Sequence, residues 1–233
     1  MKTNSNSYTI TYSVVLVLIV AFLLALTFQA LKPAQDANVA LDKQKQILYA
    51  LNIRGLNNEA AAQKYKEVVI SDDIIGEDGQ VKESGEAGGT EKGFKLNSAD
   101  AKNGKLAVFV CKVDGKTKYV IPVYGMGLWG AINGYIAIND DKATVFGAYF
   151  NHESETAGLG SAIKDDQAWQ EKFQGKHLFA GDNHTSIALA VEKKVEDPST
   201  QVNAVTGATL TSNGVTQMLQ EGLGQYTKFL NAK

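Results

Sequence analysis

The chain of 233 residues has little of what metal and redox centres are usually built from. Its single cysteine, Cys111, excludes an internal disulfide, a cysteine-cluster zinc site and a cysteine-ligated iron–sulfur cluster within the chain. Cys111 lies in the apolar run Leu106-Ala107-Val108-Phe109-Val110-Cys111, where a thiol reads as a small buried hydrophobe. The histidines, His152, His177 and His184, have no ligand spacing with the cysteine or with one another. His152, Glu153 and Glu155 could be drawn as a metal or acid–base cluster, but they sit at a strand end among turn residues. No Ser-His-Asp or Cys-His arrangement, dinucleotide-binding glycine fingerprint or internal repeat is visible. Basic residues do not exceed acidic ones and the net charge is −2, so nucleic acid is not an expected partner.

What is present begins at the N-terminus. From Val14 to Leu26 every residue is apolar, and residues 10–31 carry no charge, which makes 22 residues. At about 1.5 Å per residue this is roughly 33 Å of helix, enough to cross a bilayer core. The competing reading is a cleaved signal peptide. Its basic region would be only Lys2 and the terminal amine, the apolar run is long, and no Ala-x-Ala site follows it. The segment therefore reads as an uncleaved transmembrane helix after a tail of residues 1–9. Lys2 precedes it while Lys32, Lys43 and Lys45 follow, so the positive-inside bias points weakly to a cytoplasmic C-terminal domain.

After Lys32-Pro33, Val39, Leu41, Ile47, Leu48 and Leu51 form an apolar stripe that predicts a helix, and a second short helix is expected over 58–68. These make a juxtamembrane region, 32–70, ahead of a domain of 71–233. Residues 71–103, rich in Gly, Glu, Asp, Ser and Lys, read as solvated loop with at most short strands. Strands are expected over 106–113, 118–124, 131–139 and 143–152, with Asp114-Gly115 as a hairpin turn. A helix over 165–173 and a strand over 186–193 follow. The short connections imply an antiparallel sheet flanked by helices, an α+β fold.

Chemistry concentrates in Val202-Asn203-Ala204-Val205-Thr206-Gly207-Ala208-Thr209-Leu210-Thr211-Ser212. Gly207 and Ala208 keep the backbone bare beside the Thr209 hydroxyl, so a phosphate and an enzyme's active site can both approach. Val215, Met218, Leu219, Leu223, Tyr226, Phe229 and Leu230 recur at helical spacing. They predict a helix over 212–230 with Thr211 or Ser212 as its cap, whose free N–H groups would favour a phosphate. A plain cap and turn is the bland reading of the same run. Two other glycine loops follow strands: Gly125-Met126-Gly127-Leu128-Trp129-Gly130 and His152-Glu153-Ser154-Glu155-Thr156-Ala157-Gly158-Leu159-Gly160. Each alone is an ordinary turn. Their joint order with Thr-Gly-Ala-Thr is far more specific.

That order, with the anchor and the segment Leu41-Asp42-Lys43-Gln44-Lys45-Gln46-Ile47-Leu48, resembles the C-subunit family of the sodium-translocating NADH:quinone reductase over most of the chain. The resemblance implies an FMN-binding domain with FMN phosphoester-linked to Thr209, beside Thr206, Gly207 and Ala208. It implies that Leu128, Trp129 and Leu159 face the flavin ring, and that Glu155, Thr156 and the backbone near Gly158 hydrogen-bond its edge. It implies an electron-carrying subunit with no complete active site and no metal of its own. Its partners would be the other subunits of a membrane reductase and, during maturation, a flavin transferase using FAD and a divalent metal. The soluble domain would face the periplasm from the bacterial inner membrane, against the weak charge bias, and the resemblance is followed here. Two positions depart from the family pattern. Asn203 stands where an Asp is general, removing a carboxylate that the transferase recognises, and Ala157 replaces a proline. The flavin subunit of an ion-translocating ferredoxin:NAD reductase shares the Thr motif, but Gly-Leu-Trp-Gly and the 41–48 helix favour the quinone reductase. A third reading is a membrane-anchored binding module without flavin.

Overall fold

The computed structural model describes residues 5–181 and 184–232; Lys2, on which the charge bias partly rests, lies outside them. The chain divides into two units, 1–43 and 44–233. The first is the greater part of one helix, α1 (Asn6–Ala50), which is long and apolar enough to cross a membrane. Its apolar side chains are exposed all round, Leu18, Leu24 and Phe28 among them. A helix apolar on every side needs an apolar surrounding. No break occurs at Lys32-Pro33: proline deletes one hydrogen bond, and the long helical segments on both sides carry the helix through. The expected stripe also narrows, because Val39 is exposed and only the end of α1 buries Ile47 and Leu48.

In the second unit Asn52, at φ 61°, ends α1 in the left-handed conformation common after helices. Helix α2 (Asn58–Val68) is capped by the Asn57 side chain, which accepts from the Ala60 N–H at 2.8 Å. It runs directly into β1 (Val69–Ile75), followed by β2 (Val81–Glu83), a single 3-10 turn and α3 (Ser98–Lys102). Next come β3 (Leu106–Val113), β4 (Lys116–Met126), β5 (Ala131–Asn139) and β6 (Val145–His152). These six strands form one sheet in the order β2-β1-β3-β4-β5-β6, antiparallel at every pair. Asp114 and Gly115, both at positive φ, make the expected β3–β4 turn.

The reading of 71–103 as solvated loop with at most short strands holds for β2, but β1 is a full seven-residue strand of the sheet. Its Asp72-Asp73 pair hides the strand in the sequence. Asp72 is nevertheless buried because its Oδ2 accepts from the N–H groups of Lys92 (2.9 Å) and Phe94 (3.1 Å). The expected helix over 165–173 is two short ones, α4 (Ala162–Asp165) and α5 (Gln167–Glu171), because Asp166 takes extended backbone and caps the second. Only β7 (Ala190–Glu192) remains of the strand expected over 186–193. It pairs in parallel with β8 (Gln201–Asn203), outside the main sheet. The C-terminal helix is α6 (Thr209–Gly224), then α7 (Thr227–Asn231) after a turn at Gln225 and Tyr226.

Both faces of the sheet are covered, which is why β4 and β5 read as nearly continuous apolar runs. On one face Val108, Ile121, Val123, Ile136 and Phe150 pack with the inward stripe of α6, Val215, Met218, Leu219 and Leu223. On the other, Phe109 and Tyr135 continue a line of edge-to-face rings through Phe94 and Tyr65. Cys111 is fully buried, and burial pushes its thiol well above the ordinary range, so it is no nucleophile. Helix α6 lies very close to β4. A Cβ at Gly125 would meet the Met218 side chain at 2.6 Å, one at Gly222 the Val123 side chain at 3.0 Å, and one at Gly214 the Met126 carbonyl oxygen at 2.3 Å. Gly214→Ala is therefore expected to destabilise the domain by about 1–3 kcal/mol through overpacking against backbone. This exceeds the roughly 0.5–1 kcal/mol that alanine gains in a helix interior. A melting temperature no lower than wild type, in detergent, would refute the contact.

Candidate functional site

Three segments meet where β4 ends: residues 127–130 between β4 and β5, residues 153–160 after β6, and residues 204–208 before α6. The second is joined to the first and to the start of α6 by Glu155. Its Oε1 accepts from the Trp129 N–H at 2.9 Å and its Oε2 from the Thr211 hydroxyl at 2.6 Å. The backbone N–H of Glu155 donates to His152 Nδ1 at 3.2 Å, and the Ser154 hydroxyl donates to the Trp129 carbonyl at 3.2 Å. His152 thus belongs to the loop's own bonding. Both oxygens of Glu155 are engaged within the protein, and its side chain is buried.

The turn before α6 differs from the expected cap. The helix starts at Thr209 itself, its N-cap position is Ala208, and no side chain caps it. Thr211 is one turn too far inward and bonds Glu155. Ser212 reaches backward, its Oγ accepting from the Val205 N–H at 3.1 Å, while the Ala208 N–H donates to the Val205 carbonyl at 3.1 Å. Gly207 takes φ +76°, and a Cβ there would press on Leu159 Cδ2 at 2.9 Å, so the turn lies against the second loop. Ala208 is buried, whereas Thr206, Gly207 and Thr209 are exposed. The side chain of Asn203 is exposed too, while its carbonyl accepts from Trp169 Nε1 at 2.7 Å.

The end of β4, the three segments and the first turn of α6 leave a set of large apolar side chains open: Met126 (67% exposed), Trp129 (66%), Leu210 (59%), Leu128 (46%) and Leu159 (45%). Isolated exposed apolar residues need no explanation, but a cluster drawn from three adjoining segments does. Thr156 is exposed, and its carbonyl accepts from the N–H groups of Leu159 and Ser161, both at 3.1 Å. Gly158 makes the intervening turn at φ +74°, and Ala157 is exposed there without a packed partner surface to lose. A neighbouring cavity of about 580 Å³ is lined by Tyr124, Met126, Asn133, Glu153, Gln217 and Glu221. It holds neither Trp129 nor Thr209. The candidate site is thus an open apolar surface and not this cavity.

The three segments and the first turn of α6 hold all the expected residues, of which Glu155 and Ala208 are buried and the others are not. Sequence reasoning missed Met126, Leu210 and Thr211. Thr211 had a signal: it precedes Val215, Met218 and Leu219 by four, seven and eight residues, in phase with the buried stripe.

Residues 127–224 match the family model of the FMN-binding domain, from the first glycine of the Leu128-Trp129 loop to the end of α6. The crystal structure of the Na(+)-translocating NADH-quinone reductase C-subunit from Parabacteroides distasonis superposes with a TM-score of 0.78 at 34% identity, covering 87% of this chain and 98% of that one. The same subunit from Haemophilus ducreyi is 33% identical over 227 residues, 91% of this chain and 87% of its own length. The chain belongs to the C-subunit family of the Na(+)-translocating NADH-quinone reductase. The crystal structure of the Shewanella oneidensis member, NqrC, covers 86% of this chain at 26% identity with a TM-score of 0.66. Membership of this family sets the ferredoxin reductase alternative aside, since these relatives are all quinone-reductase subunits. In this member the open turn at Thr206–Thr209 depends on Ser212 for its hold. Ser212→Ala should leave the half-buried Val205 N–H without its acceptor, at a cost of about 1–3 kcal/mol. Amide hydrogen exchange at Val205 and Thr206 should accelerate while β5 stays protected; unchanged exchange at Val205 would exclude that hold.

Proposed function

We propose that this protein carries FMN through a phosphoester on Thr209 and passes electrons within a sodium-translocating NADH:quinone reductase. The observation that carries the reading is an exposed threonine at the first position of a sixteen-residue helix that no side chain caps, next to Leu210 and a turn that lies against Leu159, both left open. The uncapped end presents backbone N–H groups and the positive end of the helix dipole, which suit a phosphate. Trp129, Leu128 and Leu159 suit a flat apolar ring. The reading of the motif as a mere cap loses its basis, because neither Thr211 nor Ser212 caps α6.

Bound FMN would supply the electron chemistry, and the chain's residues hold it in place. Attachment is a maturation step: the Thr209 hydroxyl oxygen forms a bond to the phosphorus of the FMN half of FAD. The pyrophosphate P–O bond breaks, AMP leaves, and the hydroxyl proton passes to a base of the transferase. Thr209 is then a tether and takes no part in turnover. Thr206, Gly207 and Ala208 keep the approach narrow and bare, and the exposed Asn203 side chain lies where the transferase would read the turn. NADH, quinone and sodium sites belong to other subunits. Helix α1 would anchor the domain beside them, making transfer effectively intramolecular.

Protein made in cells that contain the transferase should give a denatured gel band fluorescent under ultraviolet light, heavier than the bare chain by one FMN less water. Thr209→Val should abolish both; a colourless wild-type band would sink the covalent reading. The domain is proposed to lie on the extracytoplasmic side. A reporter fused at the C-terminus that is active only outside the cytoplasm should be active, and an inactive fusion with an active cytoplasmic counterpart would reverse the side.

A further inference from the structure

We infer that Glu155, with Ser154, is a positioning residue that holds Trp129 at a set place relative to Thr209; its consequence for the flavin rests on the function proposed above. Trp129 combines two properties that rarely go together: a side chain 66% exposed, and a backbone bound on both sides. Its N–H donates to Glu155 Oε1 and its carbonyl accepts from the Ser154 hydroxyl. A peptide held at both ends fixes where the exposed indole is attached before any ligand arrives, which lowers the ordering cost of binding.

The same carboxylate reaches the attachment helix. Its Oε2 accepts from Thr211, two residues beyond Thr209 on the first turn of α6. Glu155 is only 7% exposed, a burial that a carboxylate tolerates when both oxygens are hydrogen-bonded. One side chain therefore spans the Trp129 loop, its own loop and the α6 N-terminus.

The glycines around it support the assignment. A Cβ at Gly127 would lie 2.4 Å from Glu155 Oε1, and one at Gly160 would lie 2.4 Å from Oε2 and 2.7 Å from Thr211 Oγ1. At Gly130 it would lie 2.2 Å from Ser154 Oγ. None of the three takes a positive φ, so conformational freedom is not why they are glycine. They clear room for the two side chains that hold Trp129.

The test uses the full chain in detergent, labelled with 5-fluorotryptophan and made without the transferase. Only two tryptophans are present, Trp129 and the buried Trp169, so two fluorine resonances are expected and the second is an internal control for the core. Glu155→Ala should narrow the Trp129 resonance and move it toward the unfolded position, leaving that of Trp169 in place. Glu155→Gln, which keeps an oxygen for the Trp129 N–H, should restore the wild-type position. If Glu155→Ala does not fold, Ser154→Ala, on an exposed side chain, should shift the Trp129 resonance in the same direction. An unmoved Trp129 resonance, or both resonances moving together, would overturn the assignment. In protein loaded by the transferase, native flavin fluorescence per mole should rise several-fold in Glu155→Ala, because a mobile indole quenches the ring less; equal fluorescence would overturn the consequence for the flavin. A wild-type chain that carries no flavin would defeat the proposed function alone, since the fluorine measurement needs none.

Discussion

The close seating of α6 on β4 is the constraint from which the rest of the site follows. Gly214 and Gly222 on the helix and Gly125 on the strand let the two backbones approach where any Cβ would collide with backbone or core side chains. A glycine in a helix or strand interior costs stability, so three such positions along one contact mean that closeness is what the fold requires there. With the helix fixed at that distance, its first turn must emerge beside Met126, where β4 ends. The strand order then brings the β6 exit to the same edge. Glu155 then links the Trp129 loop to Thr211, and the Gly207 turn lies against Leu159.

Around this packing the site divides polar from apolar groups in a consistent way. Polar side chains, Glu155, Thr211, Ser212 and Ser154, face one another or the backbone and hold the loops. Apolar side chains, Met126, Leu128, Trp129, Leu159 and Leu210, are left outward. A soluble surface normally arranges these the other way round. The inversion leaves an apolar surface open beside the exposed hydroxyls of Thr206 and Thr209. It also explains why the motif resisted a purely local reading. Threonine and serine before a helix suggest capping, yet here their oxygens are drawn to Glu155 and Val205, and the helix end stays free.

Much of the fold was legible because burial on both faces leaves a strong pattern. The strands around Phe109, Ile121, Ile136 and Phe150 and the stripe of α6 all announce themselves by apolar periodicity. Strand β1 did not, since Asp72 and Asp73 interrupt it. A buried carboxylate is tolerated there only because the backbone N–H groups of Lys92 and Phe94, about twenty residues away, come to meet it. Helix α1 was likewise read as two pieces, because a proline is a local signal while the helix through it is sustained by its length on both sides.

The sequence by itself determined the membrane-length apolar helix, the α+β class and the ordered trio of glycine loops that marks the family. These are local properties: hydropathy over a window, side-chain periodicity, and bare backbone at set positions. The tertiary structure alone decided which groups of those loops face inward and which remain open. Glu155 became a hold for Trp129, Thr211 its partner, and Thr209 the start of the helix. The reason is physical: a hydrogen bond or a close contact depends on distances between segments tens of residues apart, and only packing sets those distances.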